Sequence, residues 1–224
     1  VTRQPLCEYR VFSRRHRFAG TLDALGVWHG AGALLDYKTG APRDVAADLQ
    51  TAAYLGALVE MIETGETPDL LVFDEPSHTY TLDGERLPSV TQILQRAGAI
   101  DFDHIPPTIR EQALARGTAV HRAVHYFNEN DLDVDDFRSS FLEYWPYLAA
   151  WIKFLDTSGF RFADLSDIGS TRHIRRYAVQ LKRDGTFGID RYNNPNDYSE
   201  FLALRRALLI VERRRPSATY ADIA

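Results

Sequence analysis

The sequence predicts an α/β (α+β) fold: a central mixed β-sheet flanked by helices, with a helical subdomain. Short apolar runs separated by turn residues mark strands at 6–13, 17–27, 33–38 and 175–191. Helix-period patterns mark Asp44 to about Glu63 and Thr108 to Glu129. At 224 residues with 45% hydrophobic content, the chain can bury one substantial core, so these elements are assigned to a single domain.

In order, Leu6 to Ser13 reads as a strand with Glu8 near its start, and Arg14-Arg15-His16-Arg17 follows as a positive turn. Arg17 to Val27 rises to a turn at His29-Gly30-Ala31-Gly32, and Ala33 to Lys38 returns. Thr39-Gly40-Ala41-Pro42 leads into the first helix, where Asp44 is a candidate N-cap. Thr64 to Asp69 breaks that helix. Leu70 to Phe73, Ser77 to Leu82 and Glu85 to Leu87 then read as short strands, with Asp83-Gly84 as a tight turn. Ser89 is a candidate cap for a helix through about Arg96. Asn128 to Asp136 reads as an acidic turn, and Phe137 to Thr157 as one long helix despite Pro146. Its aromatic stripe (Phe141, Tyr144, Trp145, Trp151, Phe154) is assigned to the core. Arg175–Lys182 and Thr186–Arg191 form a hairpin turned by Asp184-Gly185. Tyr198 to about Arg213 is an amphipathic helix, its Arg205 and Arg206 placed on a solvated face, and the tail from Pro216 reads as frayed.

Composition narrows the function classes. No apolar run approaches the ~20 residues of a membrane helix, and there is no signal-peptide pattern. The single cysteine, Cys7, excludes an internal disulfide and a four-cysteine iron–sulfur cluster, and fits a reducing cytoplasm. Net charge is −5, so a nucleic-acid partner has to be held by local patches and a metal. No G-x-x-x-x-G-K-[ST] occurs, which excludes a helicase motor on this chain.

The chemistry concentrates at Gly20-Thr21-Leu22-Asp23 and Asp36-Tyr37-Lys38. Asp36 and Lys38 are two apart on a strand and share a side, while Tyr37 points to the other. Asp23, expected at the end of the neighbouring strand, reaches the same point. Two carboxylates and an ammonium there suit a hard divalent cation and a positioned water. A surface hairpin with an exposed ion pair is the plain alternative. On the following helix Gln50 and Tyr54 are i and i+4 and share a face.

G-x-x-D at Gly20–Asp23, D-x-K at Asp36–Lys38 and Q-x-x-x-Y at Gln50–Tyr54 together resemble the PD-(D/E)XK nuclease superfamily, in its RecB-like branch. The resemblance implies a restriction-endonuclease-like core and catalytic roles for Asp23, Asp36 and Lys38. Asp23, Asp36 and the carbonyl of Tyr37 would hold Mg²⁺ or Mn²⁺. Gly117-x-x-x-His121 on the second helix resembles the family's metal-binding helix, which implies His121 as a further ligand. Glu8 is a candidate outer acid, with a solvated strand carboxylate as its alternative. Gln50, Tyr54, Arg17 and Arg116 are candidate phosphate contacts. His125 lies one turn beyond His121, and His-x-x-x-His can bind zinc, but the glutamate of H-E-x-x-H is missing. The order of segments departs from the family. The block 1–69, with the catalytic strands and helix, precedes 70–162, which resembles the usual front end, and 170–224 resembles the strands that normally follow the Q-x-x-x-Y helix.

The expected function is metal-dependent hydrolysis of DNA phosphodiesters, by resemblance an exonuclease of repair, recombination or phage DNA processing, with endonuclease action open. DNA, single- or double-stranded, is the expected partner, alongside a homo-oligomeric or repair partner protein and no membrane. A DNA-binding module that does not cut, or a nuclease subunit of a larger complex, is the alternative.

Overall fold

The computed structural model describes residues 6–40, 45–75, 77–101, 105–165, 167–168 and 173–214. Three antiparallel strands start the main sheet: β1 (Cys7–Ser13), β2 (Phe18–Trp28) and β3 (Ala31–Lys38). The β2–β3 turn is tighter than the four residues predicted. Trp28 pairs with Ala31, and His29 and Gly30 both take positive φ, the geometry of a two-residue hairpin that follows strand twist. The candidate cap Asp44 and the tail from Pro216 lie outside the described residues, as do Arg215 and part of the 163–171 linker.

Helix α1 (Val45–Thr64) follows β3. Then come β4 (Leu71–Asp74), β5 (Thr79–Leu82) and β6 (Glu85–Leu87), which form a separate three-stranded sheet. Its Asp83-Gly84 turn has the positive φ pair the sequence calls for. Helix α2 (Val90–Arg96) starts with a full capping box between Ser89 and Gln92, satisfying two otherwise orphaned backbone donors.

The middle segment holds α3 (Pro107–Asn128), α4 (Val134–Ser140) and α5 (Trp145–Ser158). The single helix expected over 137–157 is therefore two. Pro146 has no N–H and its ring clashes with the preceding turn, so a helix can begin at Pro146 but not run through it. α4 begins inside the expected acidic turn, because Asp133 accepts the N–H of Asp136 and caps it. The aromatic stripe divides accordingly. Trp151 and Phe154 are fully buried, but Phe141 falls in the break and is exposed.

The main sheet is completed from the far part of the sequence. β7 (Arg161–Phe162) pairs with β2 beyond the reach of β1. β8 (Arg175–Leu181) lies parallel to β3, from Ala33↔Arg175 to Lys38↔Gln180, and β9 (Phe187–Tyr192) returns antiparallel. The order is β1-β2-β3-β8-β9 with β7 on β2. The fold is thus mixed α/β with a mixed central sheet flanked by helices, as the sequence predicts.

Side-chain alternation sends the two faces of β3 into two cores. Leu34 joins Leu22, Leu25, Ala53, Leu58, Ile93 and Phe201 beneath α1, α2 and α6 (Asp197–Arg214). Leu35 and Tyr37 join Val120, Val124, Leu148, Trp151 and Phe154 beneath α3 and α5. Arg176 ties three elements together. Its guanidinium pairs with buried Asp197 at 2.7 Å and donates to the carbonyls of Asp48 and Asn194. Arg205 departs from the expected solvated face: it is buried and donates to the carbonyls of His16 and Arg17, pinning the β1–β2 turn to α6. Arg206 is exposed, as expected.

Candidate metal centre

The site forms where β2 and β3 part. Their pairing runs from Trp28↔Ala31 to Ala24↔Leu35, and beyond it Asp23 Oδ2 accepts the Tyr37 N–H at 2.8 Å. A carboxylate thus takes over a donor at the end of the ladder. Asp23 lies in the interior of β2 rather than at its end, because β2 pairs with β1 on one side of it, from Phe18, and runs on beyond it as the partner of β3 to Trp28. Its position opposite the end of β3 is what brings it to the site.

Glu8 arrives by a backbone irregularity. Neighbouring strand residues normally face opposite sides, yet Cys7 and Glu8 both reach α3. Glu8 has φ +50°, a left-handed conformation costly for a residue with a Cβ, and it breaks the alternation. Glu8 Oε1 accepts from the Tyr37 hydroxyl at 3.0 Å and lies 3.5 Å from His121 Nδ1. His121 Nδ1 is 3.8 Å from Asp23 Oδ1, and its ring lies against Tyr37 with centroids 4.5 Å apart. Glu8, Asp23 and His121 each offer a ligand atom within 4.8 Å of the other two.

On the opposite side of β3, Asp36 is buried and pairs with Lys38 Nζ at 2.9 Å. The ammonium also donates to Gln50 Oε1 at 3.4 Å, and Gln50 Nε2 donates to Tyr54 Oη at 2.7 Å. This is the shared side that strand and helix spacing predict for Asp36, Lys38, Gln50 and Tyr54. Tyr54 is buried, and its ring covers Gly20: a Cβ there would lie 2.3 Å from Tyr54 Cε1. The glycine of G-x-x-D therefore makes room for the tyrosine of Q-x-x-x-Y. Burial lifts the Tyr54 phenol well above its ordinary range.

The electrostatics are those of crowded acids in a dry place. Burial raises the Asp23 carboxyl to about 7; His121 and Lys38 pull it down, while Asp36 and Glu8 push it further up. Burial disfavours a charged His121, but Asp23 and Glu8 together outweigh it, and its pKa is raised. The His121 imidazole faces both acids, Glu8 at 3.5 Å and Asp23 at 3.8 Å. Asp36 Oδ2 is buried with no hydrogen-bond partner. Oxygen donors with one imidazole fit Mn²⁺ or Mg²⁺, and the Asp36 oxygen, without a hydrogen-bond partner among the described residues, is an unused acceptor whose carboxylate acts on Asp23 through its charge.

Of the residues the sequence singles out, Glu8, Asp23, Tyr37 and His121 meet on the α3 side, and Asp36, Lys38, Gln50 and Tyr54 on the α1 side. Tyr37 meets the cluster through its N–H and hydroxyl. Arg17 does not join them. It pairs with Glu85 at 2.9 Å, six residues before Asp23 or roughly 20 Å along extended chain. The positive turn at 14–17 thus sits away from the cluster, with Arg14 engaged by Glu66 and Asp83. Arg116 lies over the ring of Tyr147, its Nε buried and without a hydrogen-bond partner. His125 faces Cys7 at 3.7 Å instead of joining His121, so the His-x-x-x-His pair is split between two clusters. Sequence reasoning missed Cys7 and Glu129 beside His125; the i,i+4 spacing of His125 and Glu129 was the available signal. Comparison with protein-family models, with curated proteins and with solved structures finds no match in any of the three.

Proposed function

We propose that the protein is a metal-dependent nuclease that hydrolyses DNA phosphodiesters. The observation that carries this reading is the convergence of Glu8, Asp23 and His121 within 4.8 Å, with buried Asp36 across β3 acting on Asp23 through its charge. Simple phosphate binding would place cations there; buried acids facing a phosphate make sense with a dication between them. Glu8, Asp23, His121 and Asp36 are the residues that would hold Mg²⁺ or Mn²⁺. Such an ion would supply Lewis-acid activation of water and offset charge developing on the phosphate.

The chain's own groups set the geometry. Tyr37 fixes Asp23 through its N–H and Glu8 through its hydroxyl. Lys38, held between Asp36 and Gln50, places an ammonium to orient the attacking water and to offset negative charge in the transition state. Gln50 and Tyr54 fix that ammonium from behind, so their role in this reading is positioning. Of the two arginine candidates, Arg17 is held by Glu85, and Arg116 has no ion pair among the described residues, which makes Arg116 the candidate phosphate contact. The motif resemblance favours action from DNA ends.

End-labelled linear DNA and closed circular DNA, each with Mn²⁺, Mg²⁺ or EDTA, test the proposal. Metal-dependent loss of linear DNA alone, abolished by Lys38→Ala, is the expected result. Cutting of circles would change the mode to endonuclease. No cutting of either substrate by folded, metal-loaded protein would overturn the reading in favour of a binding module.

A further inference from the structure

We propose that Cys7, His125 and Glu129 form a second metal site, one that takes Zn²⁺ and fastens α3 to β1 beside the hard-ligand cluster. The three residues each present a ligand atom within 4.8 Å of the other two. Cys7 Sγ lies 3.7 Å from His125 Nδ1, and Glu129 Oε2 lies 3.5 Å from the other ring nitrogen, Nε2; one metal takes one of these nitrogens and draws the farther ligand in from within 4.8 Å. Tetrahedral Zn²⁺ with bonds of about 2.0–2.3 Å places its ligands about 3.3–3.8 Å apart, so a shift of about 1 Å closes the set. A thiolate, an imidazole and a carboxylate suit borderline-soft Zn²⁺ and are a poor set for Mg²⁺. Water would complete the tetrahedron, and the Cys7 thiol proton leaves to solvent on binding.

A separate feature points to the same place. Asn128 is buried and its Oδ1 accepts from the Trp151 indole at 2.9 Å, which fixes the amide orientation. Among the described residues its Nδ2 meets no acceptor at full hydrogen-bond geometry, and the group it acts on is the Cys7 thiol. A buried N–H beside a cysteine is the outer-sphere donor that metal-bound thiolates use. The left-handed Glu8 places Cys7 and Glu8 on the same side, so the two clusters share one strand end and successive turns of α3.

Cobalt(II) reports on this site independently of nuclease action, because the Glu8, Asp23 and His121 cluster contains no sulfur. Titration of metal-free, reduced protein should give a near-ultraviolet thiolate-to-cobalt band that saturates at one equivalent and disappears when Zn²⁺ is added. His125→Gln and Glu129→Gln should each weaken binding at least tenfold, and Cys7→Ser should remove the band. Zn²⁺ should raise the melting temperature of the wild type more than that of Cys7→Ser, which keeps the Glu8, Asp23 and His121 cluster. No band in folded wild-type protein overturns the site. A band whose affinity is unchanged by both His125→Gln and Glu129→Gln overturns it as well, since the cysteine would then bind alone. If Cys7→Ser does not fold, these two variants decide the question.

Discussion

At Asp23 one oxygen is held by a backbone N–H and the other faces an imidazole, and the residue's titration follows from that placement. Its carboxyl is raised from 3.8 to about 7, so the native state without metal binds a proton that the unfolded chain has already released. Stability of the metal-free protein should therefore be highest at low pH on this account and fall as pH rises from 3.8 towards 7. His121, also raised, acts in the same direction, its stabilisation being lost as pH rises through its native value. Mn²⁺ should bind more tightly as pH rises through about 7, with proton release, and Asp23→Asn should flatten that dependence; isothermal titration in two buffers of different ionisation enthalpy measures both. Asp36→Ala should lower cleavage roughly a hundredfold or more, the scale of one lost electrostatic contact in a transition state, with unchanged circular dichroism. Asp23, Asp36 and Lys38 were legible in the sequence because strand spacing alone puts the last two on one side. Glu8 was legible only as a candidate, because its reach depends on a left-handed backbone that an ordinary glutamate does not announce.

Elements carry the next level of constraint. α1 crosses β2 so closely that Tyr54 rests on Gly20, and Gly20→Ala should force the ring away. Overpacking of this kind costs about 1–3 kcal/mol, so the melting temperature should fall measurably, and Tyr54→Leu in the same chain should recover part of it. The sequence showed both residues as motif members but not that they touch. Capping was readable where the side chain is its own signal, as at Ser89 with Gln92. The break before α5 was misread because the aromatic periodicity runs on through Pro146, whereas the backbone cannot. Periodicity reports which face would be buried; the missing N–H decides where the helix can start.

For the molecule as a whole, the joint between the opening meander β1–β3 and the late hairpin β8–β9 is the β3–β8 pair, backed by Arg176. Arg176→Leu leaves Asp197 buried without its guanidinium partner and frees α1 from β8, and the loss should be about 3–5 kcal/mol by urea denaturation. The local patterns of both strands were readable, but their parallel adjacency was not, because nothing within either segment encodes a partner so far away in sequence. Resemblance related 175–191 only to strands that follow the Q-x-x-x-Y helix in chain order; their place against β3 is a finding of the structure.

That adjacency has a consequence for the life of the chain before it is finished. During synthesis β1, β2 and β3 can form their meander early, while β8 is still to be made. Until it arrives, one side of β3 offers unpaired backbone groups next to the apolar run Ala33-Leu34-Leu35. An open strand edge of this kind is a template for the wrong partner, including another nascent copy. Closing it over such a long sequence separation makes folding slow for a chain of this size. The nascent protein should therefore depend on a holding chaperone, and its yield should fall as the rate of expression rises.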